Sequence, residues 1–192
     1  MPDSGVPAAI GYSNESKIPY ELGIIRNHYV GRTFIEPGDQ IRHLGVKLKH
    51  NANHHLVKDK KIILVDDSIV RGTTSKKIVE MVRNAGAKEV HLRIASPPTT
   101  HSCFYGVDTP DRAELIAAKN NIDQIRKIIN ADSLAFISIE GLYKAMGSEF
   151  INDITSDYCD ACFTGNYSIV LTDIIGGDTS KQLSLLNETN KK

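Results

Sequence analysis

Two adjacent carboxylates, Asp66 and Asp67, are followed after four intervening residues by Gly72-Thr73-Thr74. Paired acids hold sugar hydroxyls or a hard divalent cation through oxygen. A glycine followed by two threonines offers backbone N–H groups and hydroxyls where a helix is expected to open, and that is a cradle for phosphate. Acids beside an anion cradle suit a phosphorylated sugar whose hydroxyls and magnesium ion the carboxylates hold.

The elements around these residues fit that placement. Ile62 to Val65 is the mostly β-branched apolar run of a central parallel strand. Asp66 and Asp67 therefore stand at its carboxyl end, where open α/β sheets place their ligands. A Walker B strand also ends in acids, but it needs a Gly-x-x-x-x-Gly-Lys-Ser/Thr partner, which the sequence lacks. A receiver domain would carry a phosphoacceptor aspartate on a later strand, and Asp108 lies in a turn-like stretch, Tyr105 to Pro110. A purely structural strand end remains as the ordinary explanation.

Strand and helix patterns alternate along the chain. Helices are expected at Val6–Asn14, Pro37–Lys49, Thr73–Ala85, Asp111–Lys119, Ile122–Ile129 and Ile139–Met146, and strands at Tyr20–Ile25, Ile62–Val65, Val90–Ala95 and Leu134–Ser138. Gly86 is the expected stop for the helix before it. The fold class that follows is α/β, a mainly parallel twisted sheet with helices on both faces. Residues 1–170 form the domain, with a cysteine-containing helical segment at its end, and 171–192 read as a polar tail. A chain opening on Pro2-Asp3-Ser4-Gly5 begins in a loop, so the strand expected before that loop lies outside it.

Acids and bases are equal at 23 each, which argues against a general nucleic-acid or membrane-surface binder. Residues 26–61 nevertheless hold eight Lys/Arg against three Asp/Glu, with five of the seven histidines. That stretch suits a polyanionic ligand, and a solvated basic face explains it equally well. His50 and His54 are spaced for one helical face, but Asn51 and Asn53 weaken such a helix, so solvated histidines are expected rather than a metal site. No apolar run reaches membrane-spanning length and the start is not a signal peptide, so a cytoplasmic location is expected. Three cysteines do not make a disulfide framework there.

The stretch Ile63-Leu64-Val65-Asp66-Asp67-Ser68-Ile69-Val70-Arg71-Gly72-Thr73-Thr74 resembles the phosphoribosyl-pyrophosphate signature of type I phosphoribosyltransferases. Pro2-Asp3-Ser4-Gly5, Asn27 to Ile35, Cys103-Phe104-Tyr105-Gly106 and Cys159 to Gly165 extend the resemblance to the amidophosphoribosyltransferase family. That family makes 5-phosphoribosylamine from phosphoribosyl pyrophosphate and ammonia, opening purine synthesis. A glutaminase domain supplies the ammonia in complete enzymes, which are expected to be homo-oligomers. The resemblance covers the later part of such an enzyme; the glutaminase domain and the beginning of the transferase domain are expected to lie outside this chain.

The resemblance assigns Asp66 and Asp67 to the ribose hydroxyls and the magnesium shell, with Ser4 contributing to the metal site. Ser68, Arg71, Gly72, Thr73 and Thr74 belong to the phosphate cradle, and Asp3, Ser4 and Gly5 to a pyrophosphate loop. Tyr29 to Ile35 resembles a loop that closes over substrate, bringing Arg32, with Tyr29 and Arg26, to the phosphate oxygens. Taken alone, Asp3 or Ser4 would be an ordinary helix cap. Cys103, Cys159 and Cys162 match ligands of the [4Fe–4S] cluster that some members carry, and a cluster takes four thiolates. Two rival readings stand beside this one. The first is a non-catalytic phosphoribosyl-pyrophosphate-binding module or inactive gene fragment. The second is an iron–sulfur or redox protein, permitted by Cys159-x-x-Cys162 alone and opposed by the acid pair and cradle.

Overall fold

The structure, a computed structural model, describes residues 1–27, 50–147 and 158–169. The loop expected at Tyr29–Ile35, the helix at Pro37–Lys49 and the tail from 171 lie outside those residues.

Three parallel strands form the sheet that carries the acids: β3 (Lys61–Asp66), β4 (Glu89–Ile94) and β5 (Ser133–Phe136), paired in that order. Two shorter strands precede them in sequence, β1 (Ile24–Arg26) and β2 (His50–Ala52), and pair antiparallel with each other. Of the helices, α1 (Val6–Ser16) packs along β3. The helix α2 (His54–Val57) is a single turn before the sheet. Both α3 (Thr73–Asn84) and α5 (Ile122–Ile129) pack on the sheet and on each other, with the short α4 (Ile116–Lys119) beside α5. The described elements end with α6 (Ile139–Ala145) and α7 (Ala161–Thr164).

Alternation in β4 produces the core. Val90, Leu92 and Ile94 are buried, while Glu89, His91 and Arg93 between them are only partly covered. The buried set meets Ile78, Val79 and Val82 of α3 and Ile125 and Ile129 of α5, at the three- and four-residue spacing of one helix face. On the other side, Ile63, Val65 and His91 face α1 across a groove of about 480 Å³ that Val6 and Ala9 also line. Helices thus lie on both faces, as the alternating pattern predicts.

Where the boundaries differ from expectation, long-range partners explain it. The strand expected at Tyr20–Ile25 is confined to Ile24–Arg26, which pairs, among the described residues, with the three residues of β2. The helix expected over Asp111–Lys119 is a 3₁₀ turn, Arg112–Glu114, then α4, with Leu115 extended between them at φ −72° and ψ 118°. In a continuous helix the Ile116 N–H would serve Arg112; here it donates to the Val70 carbonyl at 2.9 Å. His50 belongs to a strand and His54 to a separate helical turn, so they share no helix face, and His54 and His55 are exposed. The helix Ile122–Ile129 has the predicted bounds. Its Asn121–Gln124 capping box closes one end, and Asn130, left-handed at φ 64°, closes the other.

Candidate active site

Asp66 is the last residue of β3 and is only 5% exposed, whereas Asp67 is exposed. The two acids thus differ in burial, while their carboxyls stay close enough for Asp67 to act on Asp66. Burial pushes the Asp66 carboxyl up to about 7, and a hydrogen bond and negative charge from Asp67 push the same way. The Met1 ammonium partly offsets them; burial in turn lowers that ammonium below its ordinary range. A carboxylate pair held this way is poised for a cation, which would relieve the repulsion between the two.

The Pro2–Gly5 loop is seated directly on these acids. Gly5 is buried, and a Cβ there would stand 2.6 Å from the Met1 nitrogen, 2.7 Å from the Val65 carbonyl and 3.0 Å from the Asp66 Cα. Glycine is therefore required by close approach. The Met1 ammonium donates to the Val65 carbonyl, and the Gly5 N–H donates to the Met1 carbonyl at 2.9 Å. Among the described residues, β3 itself thus supports the loop. From the other side Arg26 pairs with Asp3, and a His50 ring nitrogen lies 3.3 Å from the Pro2 carbonyl. The antiparallel β1–β2 pair, which aligns Arg26 with His50, delivers both contacts. Ser4, next to Asp3, is exposed.

The cradle opens α3. Gly72 is left-handed at φ +78°, a conformation that calls for glycine, and a Cβ on it would lie 2.7 Å from the tip of Ile116, Cδ1. No side chain caps the helix and no acid stands in its first turn. Its N–H groups and positive dipole end are thereby left to an anion. Thr73 and Thr74 are exposed, Ser68 is half-buried, and Ile69 beneath the loop is 2% exposed. Arg71 donates from Nε to Glu114 Oε2 at 2.7 Å.

Asp3, Ser4, Gly5, Arg26, Asp66, Asp67 and the Ser68–Thr74 cradle are thus joined through β3 and its flanking loops. Tyr29 and Arg32 lie outside the described residues. Sequence reasoning missed His50, Glu114 and Ile116, and no local pattern marks them, because each reaches the site through a distant contact.

Two carboxylates are hard oxygen donors, and magnesium usually takes one or two of these with substrate oxygens and water completing its shell. The pair fits that ion. Among the described residues no group of three or more His, Cys, Asp or Glu side chains is arranged to hold a metal.

The cysteines form a separate locus. The Thr100 and His101 N–H groups both donate to the Cys162 carbonyl at 3.0 Å, binding that stretch to α7. Burial raises the Cys162 thiol, and the nearby Cys103 and Cys159 raise it further, so the three sulfurs share one neighbourhood. Three thiols are one short of a [4Fe–4S] ligand set, and by themselves these residues do not complete it.

A family model described as "Phosphoribosyl transferase domain" matches residues 3–96, the span from the Pro2–Gly5 loop through β4. The amidophosphoribosyltransferase of Rhizobium etli is 56% identical over 187 residues, which cover 97% of this chain and 38% of that protein. The Bacillus subtilis enzyme of that name is 53% identical over 167 residues, covering 87% of this chain and 35% of its own length. A solved structure of the glutamine phosphoribosylpyrophosphate amidotransferase from B. subtilis, complexed with ADP and GMP, superposes with a TM-score of 0.76 at 53% identity. It is matched over 87% of this chain and 36% of that one. With its acid pair, cradle and facing loop all inside the matched span, the chain belongs to the amidophosphoribosyltransferase family, and it spans little more than a third of the length of these relatives.

Proposed function

We propose that this chain is the phosphoribosyltransferase portion of an amidophosphoribosyltransferase, binding phosphoribosyl pyrophosphate with magnesium and transferring the phosphoribosyl group to ammonia. The observation that carries this reading is the seating of Gly5 against Val65 and Asp66, which joins the pyrophosphate loop to the acid pair beside an uncapped helix N-terminus.

In the reaction, the ammonia nitrogen bonds to the anomeric carbon as the bond from that carbon to the pyrophosphate oxygen breaks. The nitrogen gives up a proton, and pyrophosphate leaves with the electron pair. Positive charge develops on the ribose ring, so the protein's task is to orient and to stabilise charge. The cradle at Ser68–Thr74 holds the 5′-phosphate by N–H and hydroxyl donors. Asp66 and Asp67 orient the ribose hydroxyls and, with Ser4, supply oxygens to the magnesium ion. When bound, magnesium neutralises charge on the leaving pyrophosphate. The Asp3–Gly5 loop faces that leaving group, with Arg26 held beside it by Asp3. Arg32 and Tyr29, outside the described residues, complete the contacts to the phosphate oxygens in this reading.

In the complete enzyme proposed for this chain, a glutaminase domain provides the ammonia, the subunits form a homo-oligomer, and the location is cytoplasmic. Cys103, Cys159 and Cys162 there supply three thiolates of an iron–sulfur cluster. The described residues include no helix long and apolar enough to cross a membrane. The activity test is pyrophosphate release from phosphoribosyl pyrophosphate with magnesium and ammonium. Release that depends on both and is lost in Asp67→Asn supports transfer. Binding without release would favour the binding-module alternative.

A further inference from the structure

We propose that Glu114 and Ile116 are positioning residues for the phosphate cradle, clamping Val70, Arg71 and Gly72 in their binding conformation without touching the ligand. This rests on the reading of residues 66–74 as the phosphoribosyl-pyrophosphate site.

Between the end of β3 and the start of α3 the chain has no regular structure of its own, so distant contacts set the path of the cradle. Three consecutive residues receive them from one segment. The Ile116 N–H donates to the Val70 carbonyl at 2.9 Å. Glu114 Oε2 accepts from Arg71 Nε at 2.7 Å. The Ile116 side chain, 8% exposed, lies where a Cβ on Gly72 would come within 2.7 Å of Cδ1. Leu115 between them is fully buried, which anchors the segment. The extended turn at Leu115 that interrupts the expected helix frees the Ile116 N–H for this purpose.

The clamp separates cleanly from folding. Arg71 and Glu114 are 52% and 50% exposed, and pairs that exposed add little to stability. What the pair does fix is the guanidinium: with Nε engaged by Glu114, the N–H groups of the two terminal nitrogens remain as donors, a set suited to phosphate oxygens. Loss of Glu114 would leave Arg71 free to sample many rotamers.

The test uses the whole chain and reads ligand-free amide NMR spectra, thermal unfolding and titration with phosphoribosyl pyrophosphate and magnesium. Glu114→Ala should weaken binding on the order of tenfold, the usual consequence of losing an orienting partner, with the midpoint of unfolding unchanged. Glu114→Gln, which keeps an acceptor, should recover part of the affinity. In an Arg71→Ala background Glu114→Ala should have no further effect. Ile116→Val, which trims Cδ1 alone, should shift the Gly72 and Thr73 amide resonances before any ligand is added. Affinity retained within twofold in Glu114→Ala, an undiminished effect in the Arg71→Ala background, or unmoved cradle amides in Ile116→Val would overturn the clamp. Failure of the wild-type chain to bind appears before any substitution and would instead overturn the ligand reading on which the clamp rests.

Discussion

Replacing Asp66 by asparagine should make the protein more stable at neutral pH while weakening the proposed ligand binding. The carboxyl is raised from its ordinary 3.8 to about 7, with burial the largest cause and Asp67 next. The folded state therefore holds the Asp66 proton more tightly than the unfolded chain does. This contribution to stability is fully present below about pH 4, declines as pH rises towards 7, and is gone above that. About three pH units at roughly 1.4 kcal/mol each give a change of about 4 kcal/mol. Asparagine is neutral throughout and has no such slope. Urea unfolding by circular dichroism between pH 4 and 8 should therefore show the variant gaining on the wild type by a few kcal/mol. The gain should level off above about pH 7.5. Magnesium should flatten the wild-type slope and leave the variant unchanged, because a cation favours the ionised pair. Parallel stability profiles for the two proteins would refute the reasoning, since Asp66 would then titrate like an exposed acid.

Other substitutions probe the frame. Gly5→Ala places a methyl within 2.7 Å of the Val65 carbonyl; calorimetric titration should show ligand affinity falling on the order of tenfold or more, beyond any loss of thermal stability. Leu92→Ala empties a fully buried position between α3 and α5 and should cost about 2–5 kcal/mol in chemical denaturation. Asn121→Ala removes the side-chain half of the α5 capping box and should cost about 1 kcal/mol, with hydrogen exchange rising first at Gln124.

Features that were legible in the sequence are those set by local chemistry. The β-branched run before Asp66 and the glycine before Thr73 mark a strand, a turn and a helix start by their own preferences. Asn121, Gln124 and Asn130 delimit α5 because caps are local hydrogen bonds. The strand at β1 was legible but placed too early, at Tyr20–Ile25, and the three-residue β2 was not, since their pairing joins residues 24–26 to 50–52 and β2 is too short to show a period. Leu115 interrupts a helical pattern because the Ile116 N–H finds Val70, 46 positions earlier, and no window around 115 contains that partner. The acids were legible as a pair, but their division into one buried and one exposed group needed the fold: Asp66 shares its face with Leu64 and lies level with Ile94 of β4, while Asp67 has left the sheet.

In the proposed function the acid pair, the cradle and the Pro2–Gly5 loop act as one binding site. Isothermal titration of the chain with phosphoribosyl pyrophosphate and magnesium tests it most directly, run beside an Asp66→Asn/Asp67→Asn double variant. Saturable binding that requires magnesium and disappears in the double variant is the expected result. Absence of binding in the wild type, or equal binding by the variant, would contradict the account.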